Sequence, residues 1–172
     1  EKVMSHRDFY ADALEAVEIA HAAGVTVLIN DRVDIAIATA ADGVHLGQDD
    51  MPVEAAGRLL GADAILGYST HSVEQAVAAV KLPVDYIAIG PIFATVTKGD
   101  TSPTVGIEGI RAVRDVIGDF QLVAIGGIDE DTLVSVIQAG ADSGAMIGAI
   151  VSDGDAIEAR MRQINATMHN NL

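Results

Sequence analysis

Six apolar runs rich in β-branched residues recur along the chain and limit what it can fold into: VTVLI at 25–29, VHL at 44–46, AILGYS at 64–69, DYIAIG at 85–90, QLVAIG at 121–126 and SGAMIG at 143–148. They are continuous instead of alternating, the pattern of parallel strands covered on both faces. Between them the periodicity predicts amphipathic helices over 7–23, 32–39, 53–60, 72–79, 107–117, 130–139 and 155–168. Short turns such as HAAGV, TAADGV, KLPVD and QAGADSG close the helices and lead into the next run, which is helix C-terminus chemistry repeated at nearly every crossover. The repeat is βα, without linker or low-complexity segment, and predicts a single domain over 1–172.

Alternating βα units leave two architectures, a doubly wound open sheet or a closed (β/α)8 barrel. A doubly wound sheet built for a nucleotide announces itself with a Gly-rich first turn, and neither GxGxxG nor GxxxxGK[ST] occurs here. The expected fold is therefore α/β, a (β/α)8 barrel. The chain opens on a predicted helix and supplies six strands where such a barrel needs eight, so the expectation includes the absence of the first strand, first helix and second strand. About 40 residues before Glu1 would supply them.

Composition narrows the chemistry. Ten basic residues against 25 acidic ones give a formal net charge of −15, which argues against partners such as nucleic acid or an anionic membrane surface. No apolar run approaches the roughly 20 residues of a spanning helix, and EKVMSHRDF at the start lacks the apolar stretch of a secretion signal; the expected location is cytoplasmic. With no cysteine, there is no thiolate to serve as nucleophile or metal ligand. Chemistry falls to carboxylates, hydroxyls, His, backbone amides, a hard metal and the three lysines Lys2, Lys81 and Lys98.

A barrel builds its active site at the C-terminal ends of its strands, and the residues there are polar. VTVLI is followed by Asn30 and Asp31, VHL by Gly47-Gln48-Asp49-Asp50, and Tyr68 by Ser69-Thr70-His71. Asp31 and Asp50 suit a hard cation such as Mg2+, held by one or two carboxylates with phosphate oxygens completing the shell; as helix N-caps they would be equally ordinary. The connection PIFATVTKGDTSPT over 91–104 is long for a βα loop. It collects Thr95, Thr97 and Lys98, suited to an anionic oxygen, or to a plain surface loop. Gly126 and Gly127, followed by a helix, resemble a glycine-lined phosphate site, and Gly148 offers another amide; glycines also simply end strands. His45 reads as a packed strand histidine, His71 as an acid/base candidate or part of a capped turn.

Together LINDRVDIA (28–36), ADGVHLGQDDMP (41–52), LGYSTHS (66–72), YIAIGPIFATVTK (86–98) and VAIGGI (123–128) closely resemble thiamine phosphate synthase, from Glu1 to about Ile150. The resemblance implies a (β/α)8 transferase that condenses 4-amino-5-hydroxymethyl-2-methylpyrimidine diphosphate with a thiazole phosphate, releasing diphosphate, with Mg2+ as cofactor. By position it implies Asp31 and Asp50 as metal ligands, Asn30 as a pyrimidine or diphosphate contact, and Ser69, Lys98 and Lys2 as catalytic diphosphate contacts. Thr95, Thr97 and the backbone of Ile125 and Gly127 fall to the thiazole phosphate, with Gly148 beside them. The family's Gln-x-Arg-x-Lys motif is represented only by Glu1-Lys2, Gly148 stands where Ser is common, and Ser143-Gly144 stands where Gly and a bulkier residue are usual. The resemblance implies small-molecule substrates as partners and leaves a homo-oligomer open. A thiazole tautomerase on the same scaffold, with a His near 71 as acid/base, and a non-catalytic thiamine-precursor binding module stand as alternatives.

Overall fold

The computed structural model describes residues 4–95, 103–152 and 154–171. The chain divides by contact density into one unit of Glu1–Ser69 with Leu82–Asp85 and a second of Thr70–Lys81 with Tyr86–Leu172.

The first unit begins with helix α1 (His6–Ala22), capped by the Ser5 hydroxyl, which accepts from the Asp8 amide. There follow β1 (Leu28–Asn30), α2 (Val33–Thr39), β2 (Gly43–Leu46), α3 (Val53–Leu60) and β3 (Ile65–Thr70), whose last residue belongs to the second unit. The strands run parallel in sequence order, with Leu28 opposite Gly43 and Asn30 opposite His45, then Gly43 opposite Ile65 and Leu46 opposite Tyr68. Val44, Leu46 and Ala56 are fully buried and Val53 nearly so. Val44 and Leu46 share one face of β2, which is sealed, while His45 on the other face is half-buried. Gly43 is required by this packing: a Cβ there would stand 1.9 Å from the Ile65 carbonyl oxygen.

The second unit carries α4 (Val73–Ala79), β4 (Tyr86–Ile89), α5 (Gly106–Ile117), β5 (Leu122–Ile125), α6 (Glu130–Gln138), β6 (Ser143–Ala145), α7 (Gly148–Val151), a 3-10 turn at Gly154–Ala156 and α8 (Ile157–Asn171). β4, β5 and β6 are parallel, Ile87 lying opposite Leu122 and Val123 opposite Ser143. Its core is Ile87, Ile89, Ile110, Val113, Leu122, Ala124 and Val136, all fully buried. Asp129 caps α6 through a reciprocal capping box with Thr132, which stabilises the first turn by satisfying two orphan amides.

Several boundaries differ from the sequence expectation for local reasons. The VTVLI run contributes a strand only from Leu28, and the Val27 amide just before it donates to the Asp42 carboxylate at 2.7 Å. The SGAMIG run leaves the strand at Ala145, and Gly148 opens the short helix α7 instead of ending a strand. The last helix begins at Ile157 after the 3-10 turn and reaches Asn171.

Candidate active site

In the first unit, the C-terminal ends of β1, β2 and β3 gather the polar residues that the sequence places there. Asp31 takes a left-handed conformation (φ 64°); its amide donates to the His45 carbonyl at 2.9 Å, and the Arg32 amide donates to the Asn30 carbonyl at 2.8 Å. This tight turn leaves Asn30 and Asp31 exposed at the strand end. Arg32 pairs with Asp34 through two bonds, Nε to Oδ1 at 2.8 Å and Nη2 to Oδ2 at 2.6 Å. The pair raises the guanidinium's affinity for its proton and holds the Asp34 carboxyl below the usual carboxylate range.

Neither candidate metal ligand caps a helix. The N-cap of α2 is Arg32 and that of α3 is Pro52, each without a side-chain cap bond. Asp50 instead turns its carboxylate back on its own loop, Oδ2 accepting from the Gly47 amide at 2.7 Å. Its donors are hard oxygens, as are those of Asp31. Among the described residues no group of three or more His, Cys, Asp or Glu could hold a metal. In chemical type, carboxylate oxygens suit Mg2+, which draws the rest of its shell from water and phosphate.

Ser69 is held by one residue of β2 and one of the loop that follows it. Its hydroxyl lies 2.7 Å from His45 Nε2, and its carbonyl accepts from Gln48 Nε2 at 2.6 Å. Neither partner was among the residues singled out for the chemistry. A signal for His45 existed, since it is the half-buried polar member of a strand whose other residues are buried; Gln48 carries no spacing that distinguishes it from any loop glutamine.

In the second unit, Thr70 is buried and donates from Oγ1 to the Ala88 carbonyl at 2.9 Å. His71 Nδ1 lies 2.6 Å from the Gly90 carbonyl oxygen. A carbonyl only accepts, so Nδ1 carries the proton and Nε2 is the nitrogen left for acid/base exchange. The loop after β4 is tied at both ends: the Ile92 amide donates to the Ile125 carbonyl, the Phe93 amide to the Gly126 carbonyl, and Val105 returns to the Pro91 carbonyl at 2.7 Å. Thr95 is half-buried; Thr97, Lys98 and Lys2 lie outside the described residues. The Ile125 carbonyl is thus already engaged. Gly126 and Gly127 have φ of 99° and 65°, and a Cβ on Gly127 would meet the Ala94 carbonyl oxygen at 2.8 Å. The glycine pair lets the loop at 91–94 pack directly against the end of β5. Beyond β6, Gly148 starts α7, whose C-terminal side is held by Arg160, with Nη1 2.7 Å from Ser152 Oγ.

Residues 1–150 match a family model described as thiamine monophosphate synthase. The chain is 45% identical over 166 residues to the thiamine-phosphate synthase of Chloroflexus aurantiacus, covering 96% of this chain and 76% of that protein. It is 48% identical over 155 residues to that of Methanosarcina barkeri, covering 90% and 70%. The solved thiamine phosphate pyrophosphorylase from Pyrococcus furiosus superposes with a TM-score of 0.89 at 30% identity, over 100% of this chain and 81% of that one. A 3-hexulose-6-phosphate synthase structure, at 18% identity and a TM-score of 0.58 over 78% of this chain and 66% of that one, shares the fold alone.

Proposed function

The chain belongs to the thiamine monophosphate synthase family, and from that membership we propose that it joins a pyrimidine diphosphate to a thiazole phosphate, forming thiamine phosphate and releasing diphosphate. The observation that carries the reading in this chain is the set of polar groups at three consecutive strand ends of the first unit. Asn30 ends β1 and Asp31 follows it, the Asp50 loop follows β2, and Ser69 lies near the end of β3 with its hydroxyl bonded to His45 of β2 and its carbonyl to Gln48 of the loop after β2. The finer fold reading is a single (β/α)8 domain, the architecture that places such ends at one mouth.

The reaction needs no nucleophilic side chain. The bond from the pyrimidine's methylene carbon to the diphosphate oxygen breaks, and its electron pair leaves with the diphosphate. The resulting cation is delocalised over the aminopyrimidine ring, and the thiazole nitrogen supplies the pair for the new C–N bond. The protein must hold the two rings in line and neutralise the departing charge. Asp31 and Asp50 are the residues that would hold Mg2+, whose chemistry there is to offset the diphosphate charge. Ser69 donates its hydroxyl proton to a diphosphate oxygen when His45 Nε2 is itself the donor to Ser69 Oγ, and Asn30 contacts the pyrimidine or its diphosphate. Lys98 and Lys2 supply cations in a chain of net charge −15, and Thr95, Thr97, Ile125, Gly127 and Gly148 take the thiazole phosphate.

The test is phosphorus NMR of the purified protein with both precursors and Mg2+. Diphosphate and thiamine phosphate should appear one for one, and neither should appear when either precursor is withheld. Isomerisation of the thiazole without diphosphate release would instead assign the chain to tautomerase chemistry.

A further inference from the structure

The ladder between β2 and β3 ends at the Leu46–Tyr68 pair, and the loop that carries Asp50 begins just beyond it. Within the loop, the Gly47 amide donates to Asp50 Oδ2 at 2.7 Å and the Asp50 amide donates to the Gly47 carbonyl at 3.4 Å. These two bonds fix the carboxylate relative to Gly47, but they do not fix the loop relative to the neighbouring strand. The Gln48 side chain does so, spanning from the loop to the Ser69 carbonyl at 2.6 Å.

We propose that Gln48 is a positioning residue that holds the Asp50 carboxylate in register with the Ser69 hydroxyl, so that a divalent cation and a diphosphate are gripped as one unit. The proposal rests on the diphosphate-transfer reading above. Chemistry explains the residue type. The partner is a carbonyl, so the side chain must donate, which excludes Glu and Met; it must also span from loop to strand, and Asn is one methylene shorter. Gln48 is exposed, so its side chain fills no core space and its removal leaves no void. His45 holds the same serine by its hydroxyl at 2.7 Å. With both bonds in place, Ser69 cannot shift along its strand without breaking its link to the Asp50 loop. A displacement of about 1 Å at a charged site is enough to lose much of its effect.

The probes are inorganic diphosphate with Mg2+, titrated calorimetrically into the wild-type protein and into Gln48→Met and Gln48→Asn, alongside turnover and thermal melting. Losing one hydrogen bond that orients the site should weaken binding of the Mg2+–diphosphate pair by about three- to tenfold. The Mg2+ concentration needed for half-maximal turnover should rise in step, saturating Mg2+ should recover most of kcat, and melting and thiazole-phosphate binding should stay at wild-type values. If wild type binds the pair and both variants bind it equally well, the positioning role is overturned. The role is equally overturned if binding falls only in step with a lower melting temperature, for then Gln48 is merely structural. If wild-type protein binds no Mg2+–diphosphate at all, the diphosphate-transfer reading itself fails and takes the proposal with it.

Discussion

Asp142 and Leu122 are joined twice: the Asp142 amide donates to the Leu122 carbonyl at 2.8 Å, and the Leu122 amide donates to Asp142 Oδ2 at 2.7 Å. The same reciprocal clasp joins Asp42 to Val27, at 2.9 and 2.7 Å, and Asp85 to Leu66, at 2.8 and 2.7 Å. In each case the aspartate stands immediately before a strand, in the sequences ADG, VDY and ADS. Its carboxylate satisfies an amide at the start of the preceding strand, which otherwise would be left without a partner. These aspartates look like turn residues in the sequence, yet they set where strands begin.

Replacing Asp142 with Ala should therefore destabilise the protein by about 1–2 kcal/mol, since it strips the amide of a fully buried residue of its acceptor. It also removes the partner of Arg114 Nη2 at 2.7 Å. Asp142→Asn, which keeps an acceptor oxygen, should recover much of the loss. Urea midpoints for the three proteins provide the check, and equal midpoints would show that the clasp is decorative.

Acid should expose the clasp at Asp42. The Val27 amide, and after it His21 at 3.0 Å, hold its carboxyl below the usual carboxylate range. A depressed folded-state value means the contribution is fully present above the unfolded value of about 3.9 and is lost as pH falls through the lower folded value. Asp42→Asn removes this contribution, so the variant's urea midpoint should fall less than that of wild type between pH 6 and pH 3. Identical slopes would contradict the assignment.

Two glycines beyond the late strands, Gly127 after β5 and Gly148 at the start of α7, should behave oppositely. Gly127→Ala forces a side chain into φ of 65° and against the Ala94 carbonyl oxygen and Phe93 Cβ, each 2.8 Å away. The left-handed conformation alone costs about 1–2 kcal/mol, and the displaced loop should raise KM for the thiazole phosphate. Gly148→Ala meets nothing within 4 Å and should leave stability within about 0.5 kcal/mol of wild type. Melting temperatures and KM values for the pair decide this.

The alternation of elements was legible because buried parallel strands write themselves as unbroken apolar runs, and VHL at β2 and DYIAIG at β4 are cases where the run and the strand nearly coincide. The ends were less legible. Val25 and Val27 have strand propensity but lie before β1, and no local pattern reports that the Val27 amide finds its acceptor fifteen residues later. Asn30, Asp31, Asp50 and Ser69 were legible as candidates because each stands at or just past the C-terminal end of a strand. The capping role open to Asp31 and Asp50 proved not to be theirs, because Arg32 and Pro52 occupy those positions. His45 was readable as a packed strand histidine, though not its serine partner, and Gln48 stayed hidden, since what distinguishes it is a partner twenty-one residues away.

The most direct measurement is steady-state formation of thiamine phosphate by the wild-type protein, Asp31→Asn and Asp50→Asn, with each precursor varied in turn and Mg2+ present or chelated. Wild-type protein should consume both precursors only with the metal. Each substitution should lower turnover by about a hundredfold or more, the loss of several kcal/mol of charge stabilisation, while thiazole-phosphate binding holds at its wild-type value. Undiminished turnover in both variants, or full turnover in chelator, would contradict the assignment of the two carboxylates and the diphosphate chemistry built on them.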